Sequence, residues 1–160
     1  MSRNNEESAA GEMSAGEIMK REFVAITPDK TVKELVTLLA AHDLSGVPVV
    51  DEDGALVGIV TEGDIVAEDA DIHFPHYIQF LDSVIYLESM SKFEQRLRKV
   101  IAVSVGDLMT RDVYTVTSSD TVSRVATIMS KHKIGQVPVV DQGKIVGVVT
   151  RHEVIGSLGL

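Results

Sequence analysis

Two stretches of this 160-residue chain are copies of one another. Gly16-Glu17-Ile18-Met19 returns as Gly106-Asp107-Leu108-Met109, and His42 as His132. Val47-Pro48-Val49-Val50-Asp51 returns as Val137-Pro138-Val139-Val140-Asp141, again at an offset of 90. Gly58-Ile59-Val60-Thr61 then returns as Gly147-Val148-Val149-Thr150 at an offset of 89. One residue is therefore lost between the blocks, in the loop Asp51–Gly54 against Asp141–Gly143. A turn is where a folded repeat tolerates a deletion. The chain is thus one supersecondary unit used twice.

Each copy predicts the order β-α-β-β-α. A short strand opens it (Phe23–Ile26; Val113–Val116). A helix follows, with Val32, Leu35, Val36 and Leu39 on one face, matched by Val122, Val125, Ile128 and Met129. Thr31 and Glu34 form a capping box at the start of the first helix. Two β-branched runs, Val47–Val50 and Leu56–Val60, flank a turn containing Gly54 and read as a hairpin. Pro48 cannot donate to a ladder, so it opens its strand or lies at an edge. A second short helix starts after Thr61 and after Thr150. A unit of roughly 50 residues has little core of its own, which two packed copies would remedy. The expected fold is α/β in the α+β sense.

The expected domains are a disordered tail 1–13, a first copy 14–66, an insertion 67–104 and a second copy 105–160. Within the insertion, Asp71-Ile72-His73-Phe74-Pro75-His76 reads as loop. Ile78–Val100 reads as helix, with Leu81, Val84, Ile85, Met90, Phe93 and Leu97 near one stripe. Lys92, Arg96, Arg98 and Lys99 mark its polar end. The stripe covers the pair's own core or meets a partner.

Composition narrows the chemistry. The absence of Cys excludes disulfides, thiolate metal sites and a cysteine nucleophile. Hydrophobic residues make up 44% and aromatics 4%, so the core is aliphatic. No apolar run reaches the ~18 residues of a membrane span, and the start MSRNNEESAAGEM lacks a signal-peptide core. A cytoplasmic protein without membrane contact is expected. A net charge of −9 argues against binding the nucleic-acid backbone. That charge is uneven: residues 1–80 hold five basic against sixteen acidic groups, residues 81–160 ten against eight. No phosphate loop, dinucleotide fingerprint or nucleophile elbow occurs. His73, His76 and Asp71 are too few, around Pro75, for a metal site. His42 and His132 sit at matching helix ends, where imidazole suits the dipole. No residues group as a catalytic base, metal site or triad, so no enzyme, no metal and no required cofactor are expected.

Taken together and in order, Met19 and Met109, the two Val-Pro-Val-Val-Asp blocks and Gly58-Ile59-Val60-Thr61-Glu62-Gly63-Asp64 resemble cystathionine-β-synthase (CBS) domains. The chain is similar to a stand-alone tandem CBS pair, or Bateman module, over residues 16–65 and 105–156. The resemblance implies a pseudo-twofold pair with two clefts for adenosine ligands. One cleft would join Ile59, Thr61 and Asp64 to Thr110, Arg111, Tyr114, Gly135, Gln136 and Pro138. The other would join Val148, Thr150 and Glu153 to Lys20, Arg21, Val24, Ser45, Gly46 and Pro48. A carboxylate at position 64 has two oxygens for the vicinal hydroxyls of a ribose. The Thr61 hydroxyl and free amides at the helix start suit a phosphate. Ile59 and Val148 offer an apolar wall for the base, and Arg111 or Arg21 could meet a phosphate. Thr-x-x-Asp and Thr-x-x-Glu read equally as capping boxes, and Glu153 departs from the family's Asp.

The expectation is a regulatory sensor that binds AMP, ADP or ATP and signals its occupancy to an unidentified partner protein. The alternatives are a ligand-free dimerisation module, an S-adenosylmethionine binder, and a nucleotide hydrolase for which the chain offers no machinery. A homodimer is expected, packing through the aliphatic faces near Val36, Ala40, Ala126 and Met129.

Overall fold

The computed structural model describes residues 13–68, 77–80, 83–86 and 90–159. The elements run α1 (Ala15–Ile18), α2 (Val32–His42), β1 (Gly46–Val50), β2 (Leu56–Thr61), α3 (Glu62–Glu68), β3 (Tyr77–Phe80), β4 (Ser83–Tyr86), α4 (Met90–Ile101), α5 (Val105–Leu108), α6 (Val122–His132), β5 (Gln136–Asp141), β6 (Lys144–Thr150) and α7 (Arg151–Gly156). The strands pair as β1-β2, β3-β4 and β5-β6. Among the described residues, no helix is long and apolar enough to cross a membrane.

Helices α2 and α6 begin and end alike. The Glu34 amide donates to Thr31 Oγ1 (3.3 Å) and the Thr31 amide to Glu34 Oε2 (2.8 Å), which completes the capping box. Thr121 caps α6 through the Arg124 amide (3.2 Å). Asp43 (φ 52°) and Lys133 (φ 55°) end the two helices in the left-handed region. Val32, Leu35 and Leu39 are buried on α2, and Val122, Val125 and Met129 on α6. Val36, at the edge of the α2 stripe, is 46% exposed.

The hairpins sit where the β-branched runs place them. Strands β5 and β6 are antiparallel, from Gln136 opposite Thr150 to Asp141 opposite Lys144. Their two-residue turn puts Gln142 (φ 52°) and Gly143 (φ 77°) in the left-handed region, as a type I′ turn demands. The β1-β2 turn is one residue longer. There Asp51 Oδ1 accepts from the amides of Asp53 (3.0 Å) and Ala55 (2.9 Å).

Two expectations are corrected. Phe23–Ile26 and Val113–Val116 are not strands: only Ile26 and Val116 bridge in parallel to Val49 and Val139. The Val116 amide donates to the Pro138 carbonyl (3.1 Å) and the Val140 amide to Val116 (2.8 Å). The rung before these would need an N–H from Pro138, which has none. Pro48 stops the ladder of Ile26 in the same way. Secondly, Ile78–Val100 is not one helix. Tyr77–Phe80 pairs antiparallel with Ser83–Tyr86, Ile78 opposite Ile85, and the helix starts only at Met90. Tyr77, Ile78, Val84, Ile85 and Tyr86 are aromatic or β-branched, and periodicity over so short a run does not separate helix from strand. Residues 1–12, Asp71, His73, His76 and Leu81 lie outside the described residues.

The chain divides into two compact units, Met1–Ala25 with Val50–Val57 and Asp112–Leu160, and Ile26–Val49 with Gly58–Arg111. Each unit mixes the two sequence copies. In the first, α1 of copy one joins α6, β5, β6 and α7 of copy two. The Ala15 amide donates to Asp120 (2.7 Å) and the Gly16 amide to Ser118 (2.9 Å). Ala15, Met19, Val116, Val125, Met129, Val137, Val139 and Val149 form one buried aliphatic cluster. In the second, α5 of copy two joins the strands of copy one. The Val105 amide donates to Lys30 (2.7 Å) and the Gly106 amide to Pro28 (2.9 Å). Leu35, Val47, Val49, Val60 and Val105 are buried in that unit.

Candidate functional site

In the unit holding Gly58–Arg111, five of the expected site residues come together. Thr110, just past α5, exchanges two backbone hydrogen bonds with Ile59 of β2, both 2.9 Å. That bridge requires Gly58: a Cβ there would lie 2.6 Å from Met109 Sδ. Strand β2 runs straight into α3, so Thr61 sits at the junction. Its amide (2.7 Å) and its hydroxyl (3.0 Å) both donate to Asp64 Oδ2. Among the described residues nothing donates to Asp64 Oδ1. Arg111 is exposed and folds back, Nη2 donating to the Gly106 carbonyl (3.0 Å).

The other unit repeats this frame with different side chains. Lys20, just past α1, exchanges backbone bonds with Val148 (2.9 and 3.0 Å). The Thr150 amide donates to Glu153 Oε2 (2.8 Å), and its hydroxyl donates to the same oxygen. The second oxygen is occupied too: Lys20 Nζ lies 3.2 Å from Glu153 Oε1. The Glu153 side chain is 8% exposed and that of Lys20 59%. Burial pushes the Glu153 carboxyl up. The Thr150 donors and the Lys20 ammonium outweigh it and hold the group below the usual glutamate value. Arg21 Nη2 donates to the Gly16 carbonyl (3.3 Å), as Arg111 does to Gly106.

All but one of the remaining expected residues fall in the opposite unit from their partners in each set. Tyr114, Gly135, Gln136 and Pro138 belong to the unit of Lys20 and Glu153, and Ser45, Gly46 and Pro48 to that of Thr61 and Asp64. Val24 belongs with Lys20. Pro48 and Pro138 are buried strand residues. Ser45 and Gly135 use their carbonyls locally: Glu62, first in α3, donates to Ser45 (2.8 Å), and Arg151, first in α7, donates to Gly135 (3.1 Å). The expectation of free amides at the start of α3 is therefore narrowed, because the first of them is taken.

Three relationships were not legible beforehand. Tyr114, 48% exposed, stacks on His132 with ring centroids 3.7 Å apart and planes 21° apart. His132 had read only as a helix-end residue. The Ser118 amide donates to Asp141 Oδ1 (3.0 Å). Lys20 turns toward Glu153; the signal was that the copies differ here, Lys20 against Thr110, within an otherwise matching frame. Among the described residues no group of three His, Asp or Glu side chains is placed to hold a metal ion.

The family model of the CBS domain matches residues 15–71 and 105–159. The uncharacterized protein MJ1426 of Methanocaldococcus jannaschii is 31% identical over 150 residues, covering 89% of each chain. The crystal structure of CBSX2 of Arabidopsis thaliana in complex with AMP superposes with a TM-score of 0.69 at 26% identity, covering 91% of this chain and 95% of that one. The CBS domain pair of protein MJ0100, in complex with 5-methylthioadenosine and S-adenosyl-L-methionine, superposes with a TM-score of 0.67 at 26% identity, covering 90% and 98%.

Proposed function

Because the chain belongs to the CBS-domain family as a tandem pair, we propose that it is a regulatory module that binds an adenosine nucleotide at Asp64 and reports its occupancy to a partner protein. The observation that carries this reading is the state of one carboxylate. Asp64 is oriented by two Thr61 donors on Oδ2, while Oδ1 has no donor among the described residues. An oxygen held this way can accept the hydroxyls of a ribose. Ile59, whose backbone is pinned by Thr110, is the proposed apolar wall for the base. Arg111 needs to give up only one neutral backbone acceptor, the Gly106 carbonyl, to meet a phosphate. Tyr114, Gly135, Gln136 and Pro138, which the family resemblance would add to this set, belong to the other unit. The related structures with AMP and with S-adenosyl-L-methionine support an adenosine ligand as the class.

The module acts by binding, in the cytoplasm, with no cofactor required. A second copy of the chain is the proposed partner of its exposed aliphatic faces. Val36 and Ile155 are 46% and 58% exposed. Ala126, Met129, Val154 and Ile155, together with Ser130, Lys133 and Arg151, line a surface groove of about 530 Å³.

Calorimetric titration with AMP, ADP, ATP and S-adenosylmethionine tests the reading. One of the four binds, and Asp64→Ala weakens it roughly tenfold or more, since hydrogen bonds to a charged acceptor are lost. Wild-type affinity in Asp64→Ala sinks the assignment. No heat with any ligand leaves the ligand-free interaction module in its place.

A further inference from the structure

The two copies present the same frame, and only one has a cation built into it. Lys20 and Thr110 follow the opening helices α1 and α5, and each exchanges two backbone bonds with β6 or β2. Thr150 and Thr61 orient Glu153 and Asp64 alike. Glu153 is a methylene longer than Asp64 and reaches Lys20 Nζ at 3.2 Å. Its two oxygens are then both used, one by Thr150 and one by Lys20. Thr110 has no charge to offer Asp64.

We infer that Lys20 is a resident counter-ion that closes the Glu153 half-site to a ribose diol, so that the chain takes one adenosine nucleotide rather than two. This rests on the reading of Asp64 as a ribose acceptor. A ribose approaching Glu153 must displace an ammonium from a carboxylate whose side chain is 8% exposed. Such a charge pair, shielded from water on the carboxylate side, outcompetes two neutral hydroxyls. The lowered pKa of Glu153, which favours its ionised form, agrees with a carboxylate already fully partnered. Lys20 is thereby a specificity-determining residue, acting through Glu153.

The test has a ligand-free arm and a ligand arm. Threonine at position 20 is compatible with the frame, because Thr110 makes the same bridge to Ile59. In the first arm the Glu153 carboxyl is titrated by NMR. Lys20→Met raises its midpoint, and Lys20→Arg leaves it near wild type. A midpoint unmoved in Lys20→Met overturns the pair. In the second arm AMP is titrated calorimetrically. Wild type and Lys20→Arg take one AMP per chain, and Lys20→Thr takes two. Two in the wild type, or one in Lys20→Thr, overturns the closure. If wild type takes none and Lys20→Thr takes one, the closure stands and the Asp64 reading falls. If neither takes any, both fall.

Discussion

A Cβ placed on Gly147 would lie 2.5 Å from Met19 Sδ and 2.9 Å from the Lys20 carbonyl oxygen. Gly58 repeats the relationship, at 2.6 Å from Met109 Sδ and 3.0 Å from the Thr110 carbonyl. Neither glycine has a positive φ. They are needed for close approach: the residue that ends each opening helix lies against the strand that carries the Thr-x-x-acid motif.

Gly147→Ala must push back Met19 and loosen the Lys20–Val148 bridge. Overpacking of this kind costs about 1–3 kcal/mol. Urea denaturation checks it, and Met19→Ala in the same chain should recover part of the loss. Full stability in Gly147→Ala alone would contradict the contact.

Asp64→Asn separates the helix cap from ligand recognition. Asparagine keeps an oxygen for the Thr61 donors, so the melting temperature should move little. It cannot offer a charged acceptor to two hydroxyls, so nucleotide affinity should drop roughly tenfold. A large melting shift with unchanged affinity would make Asp64 a cap alone.

Leu35 is fully buried on α2. Leu35→Ala should destabilise by about 2–5 kcal/mol, through lost burial and the cavity left behind. Thr31→Ala, which removes only the side-chain part of a cap, should cost about 1 kcal/mol. If equilibrium denaturation reverses that order, the α2 stripe is misassigned.

Acid should destabilise the fold. Hydrogen bonds from Ser14, Thr27, Thr31 and Ser118 hold Glu17, Asp29, Glu34 and Asp141 below their usual values. A group lowered in the folded state contributes stability above its unfolded value and loses it as pH falls through the folded one. Thermal scans in high salt, which screens the net charge of −9, should show a melting temperature steady near neutrality and falling in acid. A rise on acidification would run against the sign.

The exposed apolar faces predict association. Light scattering at micromolar concentration should give twice the chain mass. Ile155→Glu, on a side chain 58% exposed, should return it to a single chain without unfolding. A monomeric wild type would mean that no second copy covers these faces.

Local patterns in the sequence were enough for the hairpins, the long helices, the Thr31 cap and the turn that absorbs the missing residue. Each rests on residues close together in the chain, where periodicity and turn chemistry act directly. The contact between Thr61 and Asp64 was legible for the same reason, since the two are three residues apart. Only the tertiary structure decided that α1 packs with copy two and α5 with copy one. The pattern around Met19 and Met109 is the same, so nothing local chooses a partner hairpin. The tertiary structure also cut the first strands to single bridges, because the limit is a missing N–H on Pro48 and Pro138, residues distant in sequence. It paired β3 with β4, where a helical period had seemed to continue. And it placed Lys20 on Glu153, across most of the chain, where charge and reach depend on a backbone bridge that no spacing in the sequence encodes.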